Sequence, residues 1–227
     1  MRHNTLQRIQ RYLFIICFAA LVWIGFVAAR IVSGSYNGVL FTQRIALISG
    51  HAGYDSGAVC TDINGAPAVT EADVNAKITG LVAQQLRRAG ADVTILDEFD
   101  SRLDGLQVDL LLSLHADSCI DMSGYKAVRF GGNATDAAAD RLVTCIDQFY
   151  AAATGLTLHS DTITHNMTNY HAFRQIDPTT PAAIIELGFL GGDQELLVKR
   201  PDVVAQGVAD SLLCFFAPTT PEATNPP

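Results

Sequence analysis

The sequence predicts an α/β fold: a single domain with a mostly parallel or mixed central sheet flanked by helices, preceded by one N-terminal transmembrane or signal helix. Three observations point there. Nearly unbroken aliphatic runs such as Leu110 to Leu114 read as strands buried on both faces, and helical-period segments alternate with them. Ahead of both stands an uncharged apolar run of 18 residues, Tyr12 to Ala29.

At about 1.5 Å per residue that run crosses most of a bilayer core. Arg2, Arg8 and Arg11 precede it, so the positive-inside bias holds residues 1–11 in the cytoplasm and sends the chain beyond Arg30 across. A retained anchor over 12–29 is the expectation, and a cleavable signal peptide ending near Val27-Ala28-Ala29 is the alternative. Both place the domain at the cell membrane's outer side or beyond it. Residues 30–41, with Gly, Ser and Asn and no period, read as a linker, 42–216 as the folded domain, and 217–227 as a disordered Pro-rich tail.

Within the domain, Arg44 to Ser49 is β-branched and aliphatic and ends at Gly50, as a buried strand does. Thr70 offers an N-cap with Asp73 three residues on, and Val74, Ile78, Leu81, Val82 and Leu86 recur at helical spacing until Gly90. Asp92 to Leu96 and Val108 to Leu114 follow as strands, Tyr125 to Phe130 as a weaker one, and Asp136 to Thr154 as a helix. Ala182 to Ile185 reads as a short buried strand and Asp202 to Phe216 as a closing helix.

The whole chain carries a formal charge of -8, yet its first 30 residues hold four arginines and no acid. The remainder therefore sets 11 cationic residues against 23 acidic ones, about -12, which opposes binding to a phosphate backbone. Nucleic acid is not an expected partner. Nor is a nucleotide, since there is no phosphate-binding GKS/T loop or dinucleotide fingerprint, and GxSxG and HExxH motifs are missing too. Cys60, Cys119, Cys145 and Cys214 lie outside the apolar run, an even number without CxxC spacing. Disulfides pairing Cys60 with Cys119 and Cys145 with Cys214 are expected, with buried free thiols as the alternative.

The chemistry is concentrated at strand ends. His51 follows the first strand by two residues, His115 follows the third, and Glu186 follows the last. In an open α/β sheet these carboxyl ends gather on one edge, where Glu71, in the first turn of the returning helix, joins them. Two imidazoles and a carboxylate with an open fourth position suit a catalytic zinc, and one carboxylate is left for proton transfer.

Four ordered segments carry a resemblance: Ile-Ser-Gly-His51-Ala-Gly-Tyr-Asp-Ser-Gly-Ala, Glu71-Ala-Asp-Val-Asn75, Asp109-Leu-Leu-Leu-Ser-Leu-His115-Ala-Asp and Ala183-Ile-Ile-Glu186-Leu-Gly-Phe-Leu. Over about Ile45 to Phe216 the chain resembles the zinc-dependent N-acetylmuramoyl-L-alanine amidases commonly called Amidase_3. The resemblance implies zinc on His51, Glu71 and His115, Glu186 as catalytic acid/base, and peptidoglycan as substrate. Two positions depart from the family pattern, Ala52 in place of a second Gly and Asp117 in place of Asn, and the Arg-containing segment around Arg102 is shortened. Altered loop geometry, with zinc retained, is the expectation.

The polar stretch Leu158 to Pro181 has little period and contains Tyr170, His171 and Arg174. A long loop beside a catalytic edge is often a substrate contact, so these three are candidate substrate-binding residues, with a solvated loop as the alternative. Competing functions are another zinc amidohydrolase or carboxypeptidase acting on free peptides, and a non-catalytic wall-binding module.

Overall fold

A computed structural model describes residues 40–131 and 135–218. The anticipated basic segment and membrane helix, nearly all of the linker and most of the tail lie outside the described residues. Among the described residues no helix is long and apolar enough to cross a membrane.

The central sheet has five strands. β1 (Arg44–Ser49) pairs in parallel with β4 (Asp92–Leu96) on one side and β5 (Leu110–Asp117) on the other. β7 (Ala182–Phe189) lies parallel to β5, and β6 (Lys126–Arg129) closes the edge antiparallel to β7, giving the order β4-β1-β5-β7-β6. The sheet is therefore mixed. The central strands are the aliphatic runs, because only strands covered on both faces tolerate so little polarity. A small antiparallel hairpin, β2 (Val59–Thr61) and β3 (Pro67–Thr70), has no counterpart among the elements expected from periodicity.

β3 runs directly into α1 (Glu71–Arg88). The Thr70 side chain accepts a hydrogen bond from the Asp73 amide at 3.2 Å and donates to the Asp73 carboxylate at 2.6 Å, closing the helix start. Val74, Ile78, Val82 and Leu86 are buried, while Arg87 and Arg88 place positive charge at the helix end where the dipole favours it. α1 packs on β1, β4 and β5 and against α3 (Pro201–Phe216). α2 (Asp136–Cys145) continues through a π-helical turn, Ile146–Tyr150, and a last turn, Ala151–Thr154, all against α3. The opposite face of the sheet is covered by a cluster in which Ala46, Ile48, Leu111 and Ile184 meet Met167, Phe173 and Ile176.

Both anticipated disulfides are present. Cys60–Cys119 ties the hairpin to the segment after β5, and Cys145–Cys214 ties α2 to α3.

Two strands extend beyond the aliphatic runs that announce them. β5 runs on to Asp117 and β7 to Phe189, so His115 and Glu186 lie within the sheet instead of just after it. A charged side chain interrupts an aliphatic pattern, but the backbone ladder does not depend on side-chain polarity and continues through it.

Candidate active site

Strand alternation sets the site. Leu111 and Ile184 face the cluster on one side of the sheet, so His115 and Glu186, an even number of residues further along, project from that same side. His115 stands opposite Glu186 in the β5–β7 register, and Lys126 of β6 stands opposite Glu186 on its other flank.

His51 sits in the turn after β1 with φ at 67°, a left-handed conformation that a residue other than glycine adopts at some cost. The strain is held by the amide of His51, which donates to the buried Glu98 carboxylate at 2.9 Å. Gly50 precedes it because the His115 ring packs directly on that position: a Cβ there would come within 2.6 Å of Nδ1 and Cε1. Ala52, where the family pattern has Gly, does not adopt a positive φ, so that departure leaves the turn intact.

Glu71 enters from the first turn of α1. Its Oε1 lies 3.2 Å from His51 Nε2 and 3.1 Å from His115 Nδ1, and it accepts from Asn75 Nδ2 at 3.3 Å. Its Oε2 accepts from the Ala58 amide at 3.1 Å. Asn75 also donates to the Gly50 carbonyl at 3.2 Å, which locks the helix to the turn that carries His51.

One donor atom each from His51, Glu71 and His115 fall within 4.8 Å of one another. Two nitrogens and one carboxylate oxygen in that span fit a tetrahedral zinc with an open fourth position. The far nitrogens also meet carboxylates: His51 Nδ1 lies 2.5 Å from Asp55 Oδ1, and His115 Nε2 lies 3.3 Å from Glu98 Oε2. Such partners set which nitrogen stays free for a metal.

The electrostatics match. Hydrogen bonding to Glu71 raises the His51 pKa to about 9. Burial disfavours the charged form of His115, but Glu71 and Glu98 outweigh it and bring its pKa to about 10. Burial likewise opposes ionisation of Glu71, and the two imidazoles overcome it, holding that carboxyl well below its ordinary range. Glu186 behaves oppositely: burial raises it to about 7, its Oε2 has no hydrogen-bond partner, and His115 only partly offsets the cost. A buried carboxylate poised near neutrality with a free oxygen suits proton transfer.

Asp117, where the family pattern has Asn, is balanced by the buried Lys126 ammonium, which also donates to the Thr162 carbonyl at 3.2 Å. Of the loop candidates, Tyr170 is buried and its hydroxyl donates to Glu98 Oε1 at 2.8 Å. His171 is half-buried, with Nε2 2.9 Å from the same oxygen and its ring stacked on the exposed Phe99 at 4.3 Å. Arg174 is exposed and donates to Asn169 at 2.7 Å. Glu98 is the member that sequence reasoning missed; Asp97-Glu98-Phe99-Asp100 reads as an ordinary acidic loop.

Comparison with known proteins gives the family and the fold. A family model described as N-acetylmuramoyl-L-alanine amidase matches residues 45–213. The CwlD amidase from Clostridioides difficile, solved in complex with the GerS lipoprotein, superposes with a TM-score of 0.59 at 17% identity, covering 77% of this chain and 98% of that one. The CwlV catalytic domain from Bacillus (Paenibacillus) polymyxa gives 0.54 at 21%, covering 75% and 96%. Ami1 from Mycobacterium smegmatis gives 0.58 at 14%, covering 78% and 98%. At these identities the superpositions establish a shared fold. No curated protein sequence matches.

Proposed function

This chain belongs to the N-acetylmuramoyl-L-alanine amidase family, enzymes that cleave the amide between N-acetylmuramic acid and L-alanine in peptidoglycan, and from that premise we propose that His51, Glu71 and His115 hold one zinc ion while Glu186 moves the proton. The observation that carries the assignment is the convergence of His51 Nε2 and His115 Nδ1 on a single oxygen of Glu71, at 3.2 and 3.1 Å.

When bound there, zinc supplies Lewis acidity, polarising the scissile carbonyl and acidifying water. Glu186, with an unpartnered Oε2, accepts the proton of the attacking water and returns it to the departing L-alanine nitrogen. The new carboxylate stays on the lactyl side of the sugar. Lys126 and Asp117 form an ion pair beside Glu186. Arg174, exposed on the segment before β7, is available to a carboxylate of the stem peptide, and the half-buried His171 ring, held by Glu98 and Gln175, lines the groove beside it. Tyr170 acts behind them, supporting Glu98.

The same reading places the domain outside the cytoplasm, tethered by or exported through Tyr12 to Ala29. Two disulfides support it, since such bonds persist in oxidising compartments.

The test is digestion of purified peptidoglycan followed by mass analysis. Stem peptides released with a free L-alanine amine, lost on chelation and restored by zinc, are the expected products. Peptides shortened only from their carboxyl ends would favour the carboxypeptidase reading, and binding without release a wall-binding module.

A further inference from the structure

Glu98 lies two residues past β4 and is only 6% exposed. A buried carboxylate needs several donors to offset its lost hydration. Here Oε2 accepts from the His51 amide at 2.9 Å and lies 3.3 Å from His115 Nε2, while Oε1 accepts from the Tyr170 hydroxyl at 2.8 Å and meets His171 Nε2 at 2.9 Å. Tyr170 in turn accepts from the Ser113 hydroxyl at 3.0 Å, which ties the network back to β5. The Glu98 amide donates to the Ala52 carbonyl at 3.0 Å, so backbone and side chain both grip the turn that carries His51.

Glu98 stands against the edge of the His115 ring opposite the one that faces Glu71, so it lies outside the ligand set. Its effect on a metal must pass through the imidazole. In the zinc-loaded protein, where the imidazole keeps one proton, a carboxylate beside Nε2 holds that proton there and leaves Nδ1 to the metal.

We infer that Glu98 is a positioning residue: one buried carboxylate holds the orientation of the His115 ring and anchors the left-handed backbone of His51, so that both imidazoles are placed for a metal, and it favours the Nε2–H tautomer of His115 once the metal is bound. The role rests on the zinc assignment to His51, Glu71 and His115. Asp55 holds the other imidazole from the exposed side, where water can substitute for it. Glu98 is only 6% exposed, so little solvent reaches the groups it serves.

The charge matters as well as the shape. The His51 amide and the Tyr170 hydroxyl donate to Glu98, His171 Nε2 and His115 Nε2 lie 2.9 and 3.3 Å from it, and glutamine offers one acceptor oxygen where the carboxylate offers two. Glu98→Gln preserves volume and can keep its oxygen toward His51 and His115, but its amide then faces Tyr170 and His171. Glu98→Ala removes every contact.

The experiment compares the wild type, Glu98→Gln and Glu98→Ala by chelator-competition titration of zinc, by nitrogen-detected NMR of histidine in the zinc-loaded protein, and by thermal unfolding. Loss of an outer partner weakens metal binding by about 10- to 100-fold, which is expected for Ala, with a smaller loss for Gln. The Nε2–H signal of His115, single in the wild type, is expected to broaden or shift in both variants. If Ala does not fold, the Gln variant alone carries the comparison. Variants that lose thermal stability but bind zinc as the wild type does, with the His115 signal unmoved, would overturn the positioning role alone. A wild type that takes up no zinc would instead overturn the metal assignment, and this role with it.

Discussion

His115 and Glu186 face each other across the parallel β5–β7 ladder, in the same register that aligns Leu111 with Ala182. The proposed zinc ligand and the proposed proton carrier are thereby fixed by backbone pairing. Slipping the register by one residue would send one of them to the other face of the sheet. The cost of burying the Glu186 carboxylate is borne by eight-residue strands on both sides of that pairing.

Glu186→Gln should therefore leave zinc binding and the sheet intact while lowering turnover by about 100- to 10,000-fold, the usual contribution of a positioned proton carrier. Metal analysis and muropeptide release on the same preparation check this. Turnover near that of the wild type would take the proton away from Glu186.

Gly50→Ala tests how closely His115 is packed. The added Cβ would meet the ring at 2.6 Å, at the nitrogen that faces Glu71, so the imidazole has to move. We expect zinc affinity to fall by about 10- to 100-fold, comparable to losing an outer partner, with the fold retained. A competition titration showing unchanged affinity would mean that His115 Nδ1 is not a ligand atom.

Much of this was readable in the residues, and the remainder was hidden for physical reasons. The Thr70 and Asp73 cap, the aliphatic runs and the strand-end histidines are local signals, and local patterning decides them. Glu98 carried no such signal, because its four partners come from residues 51, 115, 170 and 171 and only the folded chain assembles them. Tyr170 illustrates the same point: a polar, aperiodic stretch suggested a groove residue, whereas the ring is buried with its hydroxyl satisfied by Glu98 and Ser113. The β2–β3 hairpin is too short for periodicity to reveal.

The two imidazoles predict an unusual pH dependence for the metal-free protein. Their folded pKa values, about 9 for His51 and about 10 for His115, lie above the ordinary 6.5. The stabilisation from their pairing with Glu71 and Glu98 is fully present below 6.5 and is lost as pH rises through about 9 and 10. Denaturant unfolding without metal should show stability declining over that window. Zinc requires neutral imidazoles, so its uptake near neutrality should release protons and strengthen with pH until about 10. Calorimetry in buffers of different ionisation enthalpy measures that release; zinc binding with no proton release would show that the imidazoles are already neutral.

The two disulfides should separate stability from metal binding. Each closes a long loop, with sequence separations of 59 and 69, so loop-closure entropy predicts about 4 kcal/mol apiece from similar constraints on the unfolded chain. Their positions differ. Cys60–Cys119 joins β2, whose partner β3 leads straight into Glu71, to the segment following His115 and Asp117, so it braces both sides of the ligand cluster. Cys145–Cys214 joins α2 to α3, and neither helix contributes to the cluster. Paired serine variants at either bridge should lower the melting temperature similarly, by about 2–4 °C per kcal/mol lost. Only the Cys60/Cys119 pair should also weaken zinc binding, because freeing the hairpin lets Glu71 drift from the imidazoles. Equal zinc affinity in the two double variants would show that the α1 cap and the Asn75 bridge to Gly50 hold Glu71 without help from the hairpin.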